Sequence, residues 1–346
     1  MAGVPAHSEP TGVIIYALKY RRGQSSVSII MKYLSYVGIA LILASGLLAC
    51  GDSEKPVDTV STGDIVIAAD QSLQPLIEAE EMAFEASRKY AKINPAYVTQ
   101  LKAIEMLLND SARVAVVTRE FNAQERKVLA EQKFQYRSVK IAIDAVALIT
   151  NEANSDTLIS TNQLRDVLTG KRTQWSQIGR SANKRTGDRK ITVVFESTNS
   201  SNLSYLLDTL EIDDRSQAPI FAVKSNEEVI AFVKKNPNAM GVIGLNWISD
   251  SDDPKTPRFM DGIHVMGVAR RPEPEPEDYY QPFQYNLALN RYPLSRNVLM
   301  ITKEARRGLG TGFINYVASD RGQRIILKAG LLPATQIIRL VNVRPQ

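Results

Sequence analysis

Apolar residues along this chain follow two rhythms in alternation. Short β-rich runs at 64–69, 96–98, 112–117, 134–149, 190–195, 220–223 and 240–245 predict strands. One-sided apolar stripes behind Ser, Thr or Asn caps predict helices over 76–92, 101–108, 122–131, 161–168, 201–210 and 226–235. Strands and helices taking turns over this length predict an α/β fold with mostly parallel sheets. Between the first strand and the first helix lie Asp70, Gln71, Ser72, Leu73, Gln74 and Pro75. A polar turn with Pro at the helix start points backbone N–H groups, and the positive helix end, at whatever occupies the turn.

The segment before this body has a different pattern. Residues 34–49 form an apolar run too short for a membrane-spanning helix, which needs about 20 residues. A secretory core needs about 7–15 apolar residues behind a positive charge, and Met31 and Lys32 supply a start and that charge. The run ends Leu47-Leu48-Ala49-Cys50-Gly51, with the single cysteine of the chain at its boundary. This resembles a bacterial lipoprotein signal, and it implies cleavage before Cys50 and a lipid on that residue. Residues 31–50 are then the signal peptide, and 1–30 an extension without a fold pattern. Residues 51–62, polar with a Pro and a Gly, are a flexible tether. The expected location is periplasmic or cell-surface, lipid-anchored to a bacterial membrane.

Charge removes several function classes. Of a formal net charge of +5, residues 1–50 contribute three through Lys19, Arg21, Arg22 and Lys32 against Glu9. The body is near neutral and its Lys/Arg pairs are scattered, which argues against nucleic acid as a partner. The only histidines are His7 and His264, so Ser–His, Cys–His and multi-histidine metal chemistry lack their parts. His264 reads as a half-buried strand residue. No GxGxxG or GxxxxGK(S/T) loop occurs. A catalytic role, a metal and a cofactor are not expected. The Pro-Glu stretch 272–277 reads as a stiff surface connection.

Several segments in order resemble the periplasmic phosphate-binding proteins of ABC transporters, a type II solute-binding class. They are the strand-turn-helix IAADQSLQPLIEAE at 67–80, Val117-Thr118-Arg119 followed by Asn122 and Glu125, and the strand IAIDAVALITN at 141–151. The element LTGKRTQW at 168–175 is the most specific, followed by NPNAMGVIG at 236–244, RYPLSRNV at 291–298 and the C-terminal SDRGQ at 319–323. The resemblance implies a two-lobed fold, each lobe a mostly parallel sheet flanked by helices, joined by crossing hinge strands. Lobe one would be 63–145 plus 286–346, and lobe two 147–285.

By that resemblance the ligand is inorganic phosphate or a similar oxyanion, handed by a monomeric binder to an ABC permease. Its contacts would be Asp70, Gln71, Ser72, Thr118, Arg119, Asn199, Ser200 and Ser201, supported from behind by Asp144 and Asn202. Arg119 is the leading charge contact, because Arg meets an oxyanion through two parallel N–H bonds. The third loop departs from the family. Its ligand Arg falls on Phe195, or on Glu196 if shifted by one, and its glycines fall on Thr198 and Ser200. One positive charge is missing, which keeps a second reading open: a surface or sensory lipoprotein of the same fold with another ligand or a protein partner.

Overall fold

The computed structural model describes residues 58–178, 189–214, 218–248 and 261–335. Cys50, the signal segment and the first part of the tether lie outside the described residues. The chain runs β1 (Thr62–Asp70), α1 (Gln74–Ser87), β2 (Tyr90–Val98), α2 (Gln100–Leu108), β3 (Val114–Val117), α3 (Ala123–Glu131) and β4 (Arg137–Asn151). It continues through β5 (Leu158–Ser160), α4 (Thr161–Leu168), β6 (Thr192–Phe195), α5 (Ser201–Thr209), β7 (Ile220–Ala222), α6 (Asn226–Lys235) and β8 (Ala239–Gly244). Then follow β9 (Ile263–Val265), β10 (Gly267–Ala269), α7 (Gln284–Ala288), β11 (Ser295–Thr302), α8 (Leu309–Val317), α9 (Asp320–Lys328) and β12 (Leu332–Pro333).

The main sheet has the order β2-β1-β3-β11-β4-β8-β6-β7. Its two ends, β2-β1-β3 and β8-β6-β7, are parallel, and β11 and β4 join them by antiparallel pairing. β4 is 15 residues long, and its burial turns continuous from Asp144 onward. Its first part pairs with β11 up to Ala145, and its second part pairs with β8 from Val146. One strand thus serves both halves of the sheet, and the hydrophobic cores divide along it. A core containing Ile65, Leu76, Phe84, Ala142, Val298 and Phe313 belongs to one half. A second, containing Ala145, Trp175, Phe195, Leu206, Val233 and Leu294, belongs to the other. This is the two-lobed α/β architecture with β4 and β11 as crossing strands.

Several expectations shift. The first helix stops at Ser87 rather than 92, because Arg88 is extended (φ −143°, ψ 93°) and Tyr90–Lys92 pair with Thr62–Asp64 of β1. Ala91 and Ile93 are buried there while Tyr90 and Lys92 are exposed, a strand period that wins over helix propensity. Leu287, Tyr292 and Leu294, expected with the first lobe, pack into the second core. The end of the expected tether is held: Asp58 accepts the Leu309 N–H at 2.9 Å, and a Cβ on Gly312 would sit 1.9 Å from the Val60 carbonyl oxygen. His264 is exposed rather than half-buried, with its ring Nε2 3.1 Å from the Glu152 carbonyl. Gly170, at φ +74°, ends α4 with a conformation a side chain disfavours, which accounts for Gly in the LTGK element. Among the described residues no helix is long and apolar enough to cross a membrane.

Candidate functional site

Asp70 ends β1, and its Oδ1 accepts the Ser72 N–H at 2.8 Å. That short polar bond shapes the turn Gln71–Leu73 and feeds Pro75 into the first turn of α1. Asp70 and Ser72 are buried, at 1% and 0% exposure. On the other side, β6 delivers Glu196, and Ser200 caps α5. Its hydroxyl accepts from the N–H groups of Asn202 (3.1 Å) and Leu203 (3.2 Å) and donates to Glu196 Oε1 at 2.7 Å. Asn202 adds its amide N–H to both Glu196 oxygens, at 3.4 and 3.3 Å. Burial pushes the Glu196 carboxyl up to about 7, against the pull of the Ser200 hydroxyl and with the Asp70 charge adding to the rise.

The crossing strands bring in a second pair. Asp144 and Arg296 sit opposite each other in the β4–β11 register. Arg296 Nε donates to Asp144 Oδ2 at 3.0 Å, and Nη2 lies 2.9 Å from the same oxygen. Both side chains are buried, at 1% or less exposure. Burial lifts the Asp144 carboxyl above its ordinary value, and the guanidinium and the Leu245 N–H hold that rise in check. Arg296 also donates from Nη2 to the Ser72 hydroxyl (3.1 Å) and from Nη1 to the Ser201 hydroxyl (3.4 Å). The two hydroxyls are 3.3 Å apart. The Ser72 carbonyl accepts from the Asn246 amide (2.8 Å) and the Trp247 indole (2.9 Å). Gly244 is needed beside them, since a Cβ there would come within 3.0 Å of the Ser72 carbonyl oxygen. Arg296 is therefore the hub where β1, α5 and both crossing strands meet.

A cavity of about 450 Å3 adjoins this centre, sharing Ser201 with it. Gln100, Leu101, Thr118 and Arg119 line one side, and Thr198, Asn199, Ser201, Ser204, Tyr205, Leu207, Asp208 and Asp213 line the rest. Thr118 turns both its N–H (2.6 Å) and its hydroxyl (2.8 Å) to the Gln100 side-chain oxygen. Arg119 makes a two-bonded pair with Glu125, both bonds 2.8 Å, and not with the neighbouring Glu120 carboxylate. Burial pushes the Glu125 carboxyl up, but the Arg119 and Asn122 hydrogen bonds outweigh it and hold the group below its ordinary value.

Of the residues singled out from the sequence, Thr118, Arg119, Asn199 and Ser201 thus share the cavity, while Asp70, Ser72, Asp144, Ser200 and Asn202 belong to the buried centre. Gln71 offers its carbonyl to Asn226 at 3.5 Å. Sequence reasoning did not single out Arg296, Asn226 or Asn246, and treated Glu196 only as a mismatch. The one signal for Arg296 was its place in the RYPLSRNV element, between Ser295 and Asn297 at the polar start of β11. Among the described residues no group of His, Cys, Asp and Glu is placed to hold a metal ion.

A two-lobed α/β fold with a buried polar centre on its crossing strands defines a binding-protein class. Residues 56–321 match the family model of the PBP superfamily domain, and the chain belongs to that superfamily of periplasmic binding proteins. Within it the chain is PstS-like. It is 22% identical over 278 residues to the phosphate-binding protein PstS of Borreliella burgdorferi, covering 78% of this chain and 89% of that one. It is 24% identical over 295 residues to PstS of Bacillus subtilis, covering 83% and 85%. Among solved structures it is similar to one from Clostridium perfringens described as a phosphate ABC transporter substrate-binding protein with bound phosphate. That match has a TM-score of 0.64 and 22% identity, and it covers 79% of this chain and all of the other. A phosphate transport receptor from Vibrio cholerae matches with a TM-score of 0.57 and 20% identity, over 78% and 99%.

Proposed function

We propose that this chain is the extracytoplasmic solute-binding component of an ABC importer, and that it captures phosphate or a related oxyanion between its two lobes. The observation that carries this reading is the meeting of Ser72, Ser201 and Arg296, three donors from different elements, beside a cavity of small-molecule size. An oxyanion leaves water only where many fixed donors replace its hydration. The lobes on either side of the crossing strands part and close by bending β4 and β11, and closure completes the ligand's shell. No bond is broken, so the protein is a binder and not an enzyme. Arg119 opens its pair with Glu125 to meet the ligand or, where it stays paired, fixes the cavity wall. A lipid on Cys50 holds the binder near its permease, as the apolar run 34–49 ending at that cysteine supports.

Calorimetric titration of the chain from residue 51 onward with phosphate, sulfate and arsenate tests the reading. Tight binding of phosphate, lost in Arg296→Met, is the expected result; folded protein that binds none of the three overturns it. By the resemblance, the third loop carries Phe195, or Glu196 if shifted by one, where the family has a ligand Arg, and that favours one rival. In that reading the fold has been turned to a surface or sensory lipoprotein with a different ligand or a protein partner.

A further inference from the structure

The buried centre holds more acceptors than donors. Among the described residues, Asp70 Oδ2, Asn202 Oδ1 and Asn226 Oδ1 have no hydrogen-bond partner, and each belongs to a residue no more than 1% exposed. Asp70 accepts the Ser72 N–H, the Ser72 hydroxyl lies 3.3 Å from that of Ser201, and Asn202 follows Ser201 in the chain. Asn226 reaches the carbonyl of Gln71, next to Asp70, while Asn202 lies against Glu196, which feels the Asp70 charge. The ionisable groups meeting here are Asp70 from β1, Glu196 following β6, Asp144 from β4 and Arg296 from β11. Arg296 pairs with Asp144, and among the described residues no cation pairs with Asp70 or Glu196.

Phosphate near neutral pH keeps one or two O–H donors, fewer than these acceptors, and brings no positive charge to Asp70 and Glu196. A primary ammonium brings three N–H donors and the missing charge. It also returns Glu196 to its ionised form. We propose that Asp70, Glu196, Asn202 and Asn226 form an ammonium subsite, and that the transported solute is a small aminoalkyl phosphate or phosphonate. The oxyanion of that solute takes the serine hydroxyls and Arg296, and its amine takes the four acceptor residues. This rests on the oxyanion reading above. A cavity of about 450 Å3 meets this centre at Ser201.

The test is calorimetry at one pH and salt on the chain from residue 51, which contains the whole compact unit Pro56–Gln346. The probes are 2-aminoethylphosphonate, ethylphosphonate, inorganic phosphate and ethanolamine. The expected result is aminoethylphosphonate bound about tenfold tighter than ethylphosphonate, or more. In Asp70→Asn, Glu196→Gln and the double variant that ratio falls toward one. A wild-type ratio near one, with phosphate bound, overturns the ammonium subsite and leaves the oxyanion reading standing. A preference that survives in the folded variants overturns the residue assignment. Ethanolamine bound as tightly as aminoethylphosphonate, or no probe bound at all, overturns both readings.

Discussion

Arg296 and Asp144 show how one residue's value depends on its neighbour. Each is buried, and each would be expensive alone. Arg296→Met should therefore destabilise the fold by about 3–5 kcal/mol in urea titration, because the buried Asp144 loses its counter-charge. Adding Asp144→Leu should recover much of that loss while binding stays absent, which separates stability from recognition. Glu80 is a different case. It is fully buried on α1 with both carboxyl oxygens unpartnered among the described residues, and burial pushes it up to about 9. The folded protein keeps Glu80 protonated where the unfolded chain ionises it. Its contribution to stability is fully present below about pH 4.5 and is lost as pH rises toward about 9. Thermal melts at pH 5, 7 and 9 should show Glu80→Gln flattening that decline, with a gain on the order of a few kcal/mol at neutral pH.

At the scale of elements, caps did most of the signalling. Asn122 with Glu125 and Ser160 with Gln163 form reciprocal capping boxes, and both helices began where those residues predicted. The α5 cap is also part of the buried centre. Ser200→Ala should cost about 1 kcal/mol of stability by denaturant titration. It should also free Glu196 from its hydroxyl donor. The start of β2 was not legible, because Tyr90–Lys92 continue a helical composition and only β1 across from them imposes the strand. The centre itself was half legible. The turns at Asp70–Ser72 and Ser200–Asn202 carry local signatures, so both could be read from the chain. Arg296 could not, since its role comes from lying opposite Asp144 across two strands about 150 residues apart in sequence, a register no local pattern encodes. Gly244 has the same origin: its lack of a side chain answers the approach of Ser72, far away along the chain. Gly244→Ala should weaken ligand binding with little change in the melting of either core, read by calorimetry against a thermal melt.

At the scale of the whole molecule, the proposed closure makes a direct prediction. Small-angle scattering of the chain from residue 51 should show a smaller radius of gyration with saturating ligand than without. The contacts from Ser72 to Ser201, Asn246 and Trp247 are those that closure would make. Arg296→Met should hold the larger radius under both conditions.

The division of the cores along β4 also bears on the order of assembly. The core on the far side of β4 draws on residues 145–294 and is contiguous in sequence. The other core needs residues 65–142 together with 298–331, and β11 must slot between β3 and β4 to complete the sheet. A chain emerging from its N-terminus can finish the later-encoded lobe first. The first-encoded lobe has to wait, with the edges of β3 and β4 open, until nearly the last residues arrive.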